Sequence, residues 1–256
     1  MNQGIGRSDS PYVLALNFDT LLEKTFLSNL MHALSVRDGF GSACGKIYRM
    51  SENFEKLNRL DSAGHIIIGR WPGNRGLDEV DAGQYDREQI VFSPPGSFAL
   101  YKREMLDDIA YRGEYFDNSY FMYCEDLDIG WRANIFGWNC LYTPRAQAYH
   151  VAHGSFVDIA TENRGKSLHR LLPINMELTT LKNDTPEHAA KTLRTMLGRT
   201  MRVYRTKAKR WELERLRFWR YLPLALKKRR FNNKKRKVSF DEMEFWFKND
   251  SKEIGE

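Results

Sequence analysis

The apolar run Tyr12-Val13-Leu14-Ala15-Leu16, set between Ser8-Asp9-Ser10-Pro11 and Asn17-Phe18-Asp19-Thr20, constrains this chain most. A short, continuously apolar segment between turn formers reads as a buried strand, the kind found in parallel or mixed sheets. Next, Leu21–Val36 places apolar residues at 21, 22, 26, 27, 30, 31 and 34, a helical period. Thr20 followed by Glu23 has capping-box spacing, so the helix is expected to start there. Strand, acidic turn and helix in that order make half of an α/β unit. Ligands gather at the C-terminal ends of such strands.

Residues 37–95 hold Gly-, Asp- and Arg-rich loops around short strand candidates at Cys44–Tyr48, His65–Ile68 and Gln89–Phe92. After Pro94-Pro95-Gly96-Ser97, Phe98–Tyr101 leads into a short helix at Lys102–Ala110. A further helix is expected from Glu125 to Phe136, closed by Gly137 as its C-cap glycine. Asn139–Tyr142 reads as a strand ending before Pro144, and Asn175–Leu226 as helical and increasingly basic.

The formal charge of +7 is an average over unlike parts. Residues 1–186 carry 19 basic and 24 acidic side chains, 187–237 carry 19 and 3, and 238–256 carry 2 and 6. This division predicts a slightly acidic globular domain over 1–186, a basic amphipathic helical region over 187–237, and an acidic tail over 238–256. A hydrophobic content of 42 % supports a sizeable core and excludes wholesale disorder. No stretch approaches a membrane span, and the first residues lack the apolar core of a secretory signal. Cys44, Cys124 and Cys140 have neither disulfide-framework nor zinc spacing, so a reducing, cytoplasmic compartment is expected.

Lys207–Arg230 interleaves cations with Trp211, Phe218, Trp219 and Tyr221, and Pro223 is expected to break or kink its helix. That pattern suits an interfacial helix on an anionic membrane surface. It also suits a helix whose apolar face packs on the domain while its basic face is solvated. No nucleic-acid readout motif is present, so no nucleic-acid partner is expected.

The densest acidic feature is Glu125-Asp126-Leu127-Asp128, set among Phe121, Tyr123, Trp131 and Trp138. Crowded carboxylates beside apolar groups suit a general base or a metal-adjacent acid. An acidic first helical turn favoured by the macrodipole has the same composition. Asp19, at a strand's C-terminus, can hold a hard cation beside phosphates, or can cap the helix that follows. His150, with His153 nearby, closes a segment after a Pro-containing turn and is the third candidate.

Taken together, these segments resemble the family 2 glycosyltransferases, most closely their rhamnosyltransferase and galactofuranosyltransferase-like branch. The pattern F-D-x-x-[YF]-F-x-Y-x-E-D-x-D-[LI]-x-W-R, then G-W, then Y-x-P-x-A-x-x-x-H is met by Phe116, Asp117, Tyr120, Phe121, Tyr123, Glu125, Asp126, Asp128, Ile129, Trp131 and Arg132. Gly137, Trp138, Tyr142, Pro144, Ala146 and His150 complete it. Tyr12–Asp19 is similar to the family's Y-V-L-L-L-N-P-D strand, with Phe18 where proline is usual. Gly96–Arg103 matches its G-x-x-x-L-Y-[RK]-[RK] segment.

The resemblance implies an α/β fold: a truncated GT-A mixed sheet flanked by helices, with a basic helical C-terminal extension. It implies an inverting transferase that moves a sugar from a nucleotide-sugar donor to a cell-surface glycan or lipid-linked acceptor. In that reading Asp126 is the general base, and Asp19 and His150 hold Mg²⁺ or Mn²⁺. Glu125, Asp128, Trp131, Arg132, Gly96 and Ser97 form the acceptor side. The protein is then expected in the cytoplasm, on the inner face of the cell membrane. Family members also carry a nucleotide-binding half, normally closed by a segment that Asn2-Gln3-Gly4 resembles, and this chain is expected to lack it. A non-catalytic glycan- or membrane-binding remnant is the alternative. Either way, the edge of strand Val13–Leu16 is expected to be open and to promote self-association.

Overall fold

A computed structural model of the chain describes residues 1–151, 171–205 and 216–255. A helical turn α1 (Asn2–Ile5) precedes strands β1 (Tyr12–Leu16) and β2 (Thr20–Leu22) and helix α2 (Phe26–Ser35). Then come β3 (Phe40–Met50), β4 (Lys56–Ser62), the short β5 (His65–Ile66) and β6 (Gly73–Asn74), β7 (Gln89–Val91) and β8 (Phe98–Lys102). Helices α3 (Arg103–Ile109) and α4 (Glu125–Ile135) lead to β9 (Asn139–His150). Helices α5 (Leu171–Asn183), α6 (Pro186–Arg205), α7 (Arg217–Lys235) and α8 (Phe240–Met243) and strand β10 (Ser251–Lys252) follow.

The principal sheet runs β1-β8-β3-β9-β7-β10, with β4 on β3 and β2 on β9. It is mixed: β3 and β9 are parallel, and the other ladders antiparallel. Because β1 and β3 both run against β8, strands β1, β3 and β9 point the same way, and their C-terminal ends share one edge of the sheet. The fold is thus α/β, a mixed sheet flanked by helices. Strand β1 is outermost, with no partner on its far side among the described residues.

Several elements differ from expectation. Thr20–Leu22 is a strand, pairing with Ala148–His150, and the helix begins only at Phe26. Thr20 Oγ1 donates to the Asn17 carbonyl instead of capping a helix. Two adjacent leucines satisfy either period, and the free edge of β9 decides between them. Strand β9 also continues through Pro144, because a register shift sets Gly45 opposite Thr143 and Lys46 opposite Gln147. The proline lies in that bulge, where no ladder N–H is needed. A Cβ on Gly45 would sit 2.1 Å from the Ala146 carbonyl oxygen, so the bulge requires glycine. Beyond it the neighbours change, from β7 and β8 to β2 and β4.

Segment 238–256 is no appended tail. Its β10 pairs with β7, and Met243, Trp246 and Phe247 are buried in the main core, with the Trp246 ring 5.9 Å from that of Phe92. So aromatic a run cannot stay in water. The described parts of the basic region, 187–205 and 216–237, likewise belong to the body. Phe218 and Ala225 of α7 join Ile174, Leu178 and Leu181 of α5 and Ala189 and Met196 of α6 in a second apolar cluster. Helix α7 runs unbroken through Pro223, and its aromatic side faces protein. The insertion of that face into a membrane is thereby corrected; Trp211 lies outside the described residues. Among the described residues no helix is long and apolar enough to cross a membrane.

Candidate active site

Asp126 stands in the first turn of α4, and the chain reaches it through two left-handed non-glycine residues, Tyr123 (φ 71°) and Cys124 (φ 68°). Such backbone costs about 1–3 kcal/mol per residue and persists only where its surroundings enforce it. Here Asn175 of α5 supplies the restraint, its Nδ2 donating to the carbonyls of Met122 (2.8 Å) and Tyr123 (2.9 Å). Asp126 Oδ2 accepts from the Gly96 N–H at 2.9 Å, and its Oδ1 from the Leu127 N–H at 2.8 Å. A Cβ at position 96 would lie 2.8 Å from Oδ2, so the approach needs glycine. His65 Nε2 is 3.6 Å from the same Oδ2, and its Nδ1 lies 2.9 Å from Ser93 Oγ. The Asp126 side chain stays 22 % exposed, so a substrate hydroxyl can reach it.

Its neighbour Glu125 has the opposite surroundings. Burial, reinforced by the charge of Asp126, pushes its carboxyl up to about 7. Near neutrality Glu125 is therefore only about half ionised, and its charge beside Asp126 is only partly developed.

At the C-terminal ends of β1 and β9 lies a second cluster. The Thr20–His150 register brings Asp19 to His150, whose Nε2 is 3.4 Å from Asp19 Oδ1 and 3.4 Å from Asn17 Nδ2. Its Nδ1 is 2.9 Å from Oδ2 of Asp61, at the end of β4. Burial disfavours the charged ring, but the hydrogen bond to Asp61 and the charges of Asp61 and Asp19 outweigh it, so the pKa of His150 is raised. A carboxylate on Nδ1 fixes the ring and leaves Nε2 facing a second carboxylate, the arrangement of a metal-ligating histidine with its supporting acid. The Asp19 carboxylate suits either Mn²⁺ or Mg²⁺, and the imidazole nitrogen favours Mn²⁺ of the two.

The turn at 95–98 joins the two clusters: Gly96 donates to Asp126, and the Ser97 carbonyl accepts from the Asn17 N–H at 3.2 Å. Three residues expected on the acceptor side are elsewhere. Asp128, Trp131 and Arg132 are buried, so direct acceptor contact is corrected to support from behind. Asp128 accepts from Arg132 Nε (2.9 Å) and pairs with Lys182 of α5 (2.8 Å). Asp117 pairs with Lys182 and with Lys228 of α7 (2.7 Å), and Lys228 also reaches Glu114. These lysines hold Asp117 well below the usual carboxylate range despite its burial. His153 lies outside the described residues.

Asp61, His65 and Ser93 were not singled out from the sequence. The available signal was Asp61-Ser62-Ala63-Gly64-His65, a polar turn whose Gly64 takes φ 106°, just before a strand candidate. A third group, Asp184, His188 and Glu244, brings ligand atoms within 4.8 Å of one another. Arg70 already pairs with Asp184 (2.7 Å) and with Glu244, supplying the cation there.

No known protein-family model matches the chain. It is 27 % identical over 150 residues to the rhamnosyltransferase WbbL of Escherichia coli, covering 57 % of this chain and 54 % of that protein. It is 30 % identical over 120 residues to an N-acetylglucosaminyl-diphospho-decaprenol L-rhamnosyltransferase of Mycobacterium tuberculosis, covering 46 % and 37 %. Identity to a poly-beta-1,6-N-acetyl-D-glucosamine synthase of Staphylococcus epidermidis is 25 % over 148 residues, covering 57 % and 32 %. The chain thus spans about half the length of the first of these relatives and about a third of the others. Among solved structures, GalNAc-T7 with UDP, GalNAc and Mn²⁺ gives a TM-score of 0.46 at 10 % identity, over 68 % of this chain and 36 % of that one. The mannosyltransferase PcManGT of Pyrobaculum calidifontis with GDP-Man and Mn²⁺ gives 0.37 at 15 % identity, over 90 % and 51 %. These two likenesses are too slight to argue from. Over about half of its length, the sequence is similar to those of glycosyltransferases.

Proposed function

We propose that this chain carries the acceptor side of an inverting, divalent-metal-dependent glycosyltransferase. It would transfer a sugar from a nucleotide-sugar donor to a glycan or lipid-linked acceptor at an anionic membrane surface. The observation that carries the reading is the linkage of two clusters at one end of the sheet. Asp19 and His150, backed by Asp61, are tied through the 95–98 turn to Asp126. The lipid-linked acceptor is supported by the relative named for a decaprenol substrate.

Each group has a definite task. Asp126, anchored by the Gly96 N–H, accepts the proton of the acceptor hydroxyl. The freed oxygen forms a bond to the anomeric carbon as the bond from that carbon to the donor diphosphate breaks. The departing electron pair stays on the diphosphate oxygen. Attack from the face opposite the leaving group inverts the anomeric centre. Glu125, mostly protonated below a pH of about 7, there places no full second charge beside Asp126. Asp19 and His150 Nε2 would hold a divalent cation, which would supply charge neutralisation for the leaving diphosphate.

Calorimetry of the chain with Mn²⁺ and UDP, GDP or dTDP tests the donor side. Binding that depends on Mn²⁺ and disappears in Asp19→Asn and His150→Ala is expected; metal-independent binding refutes the ligand assignment. In a transfer assay Asp126→Asn should lower turnover by at least about a hundredfold with the fold intact. Unchanged turnover removes Asp126 as the base.

A further inference from the structure

Helix α7 holds eight Lys and Arg residues and no acid. The fold divides them into two sets. Lys228 turns inward to Glu114 and Asp117, Arg229 donates to the carbonyls of Leu181 and Asp184 (both 2.8 Å), and Lys235 pairs with Asp108 (2.8 Å). Arg217, Arg220, Lys227, Arg230 and Lys234 are left exposed, with no ion pair among the described residues. Arg220, Lys227 and Lys234 recur every seven residues, two turns apart, so they form a row along the helix. The face opposite them carries the buried Phe218, Ala225 and Asn232. Like charges three and four residues apart destabilise a helix in water, and an opposing sheet of negative charge removes that cost.

We infer that the outward row of α7 is a docking surface for an anionic phospholipid bilayer, applied electrostatically and not by insertion. Charge complementarity carries it: the cations are spread along a helix of 19 residues, about 28 Å, and face a surface of opposite charge. What lies between the cations separates a bilayer from nucleic acid. The exposed apolar residues of the row are Pro223 and Leu226, and α6, in the same apolar cluster, exposes Leu197 and Met201 among Lys191 and Arg194. Single-strand nucleic-acid surfaces need exposed aromatic platforms. On α7 Phe218 is buried, and Trp219, Tyr221 and Phe231 are partly covered. The inference deepens the proposed function, resting on it for its purpose, since a lipid-linked acceptor must be met at a membrane. The binding itself requires neither donor nor turnover.

The test is co-sedimentation of the full chain with extruded vesicles, in the absence of sugar nucleotides. Vesicles of phosphatidylglycerol and phosphatidylcholine in equal parts should bind it, and vesicles of phosphatidylcholine alone should not. Each cation near the surface contributes about fivefold, so R220E/K227E/R230E/K234E should weaken binding by more than about a hundredfold. Circular dichroism checks that this variant folds. The neutral set R220Q/K227Q/R230Q/K234Q gives the same readout with less repulsion. Equal binding by variants and parent, or none to either vesicle, overturns the inference. So does tighter binding to single-stranded RNA than to anionic vesicles at physiological salt. Transfer to a water-soluble acceptor, measured separately, reports on the proposed activity alone. Loss of either result therefore leaves the other readable.

Discussion

Glu125 and Asp126 are adjacent in the chain yet have opposite electrostatic surroundings, and both consequences can be measured. The folded pKa of Glu125, about 7, lies above its ordinary 4.5. Its contribution to stability is therefore fully present below pH 4.5 and is lost as pH rises through 7. Glu125→Gln has no such loss, so its stability relative to wild type should improve from pH 5 to pH 8, by on the order of 2–3 kcal/mol. Denaturant melts at both values check this, and parallel curves would contradict the buried acid. His150 runs the other way in function. Its raised pKa means the ring keeps its proton above the ordinary 6.5, and that proton competes with a cation for Nε2. Mn²⁺ affinity should accordingly rise with pH, by up to about tenfold per unit below the histidine's pKa. A pH-independent affinity would remove His150 as a ligand.

At the scale of elements, close approach does the positioning. Helix α4 lies so near the chain after β7 that a Cβ on Gly130 would sit 2.0 Å from Ser93 Cβ. Ser93 in turn orients His65, which faces Asp126. Gly130→Ala should cost about 1–3 kcal/mol by overpacking. Adding Ser93→Gly should restore part of that loss, which a double-mutant cycle in urea would measure. Additive costs would mean that the two sites are not in contact. The element-level expectations held where the local pattern had one solution. Strand β8 into α3, and α4 closed by Gly137 at φ 85°, were legible from turn residues and period. Leu21 and Leu22 were ambiguous because they suit helix or strand. Strand β4 was missed because its first four residues are exposed and three of them, Lys56, Asn58 and Arg59, are polar.

Over the whole molecule, buried charge joins the acidic body to the basic helices. Lys182 serves both Asp117 and Asp128, so Lys182→Met would leave two buried carboxylates undercompensated. The expected cost is about 3–5 kcal/mol in chemical denaturation, partly recovered by adding Asp128→Asn. A cost below about 1 kcal/mol would show that the lysine is dispensable. The candidate site was legible in part. Asp19, Asp126 and His150 stand out as polar residues at element ends, whereas Asp61 and His65 acquire meaning only from what they face. His150 and Asp61 are 89 positions apart in sequence, and only the β3–β4 and β3–β9 ladders bring them together. The sequence by itself determined the α/β alternation, the acidic start of α4 and the confinement of positive charge to one region. Tertiary structure alone decided which lysines turn inward to carboxylates and which remain at the surface. Periodicity is set by near neighbours along the chain. The partner of a charge depends on which distant segment the fold brings within a few ångströms, and no local pattern encodes that.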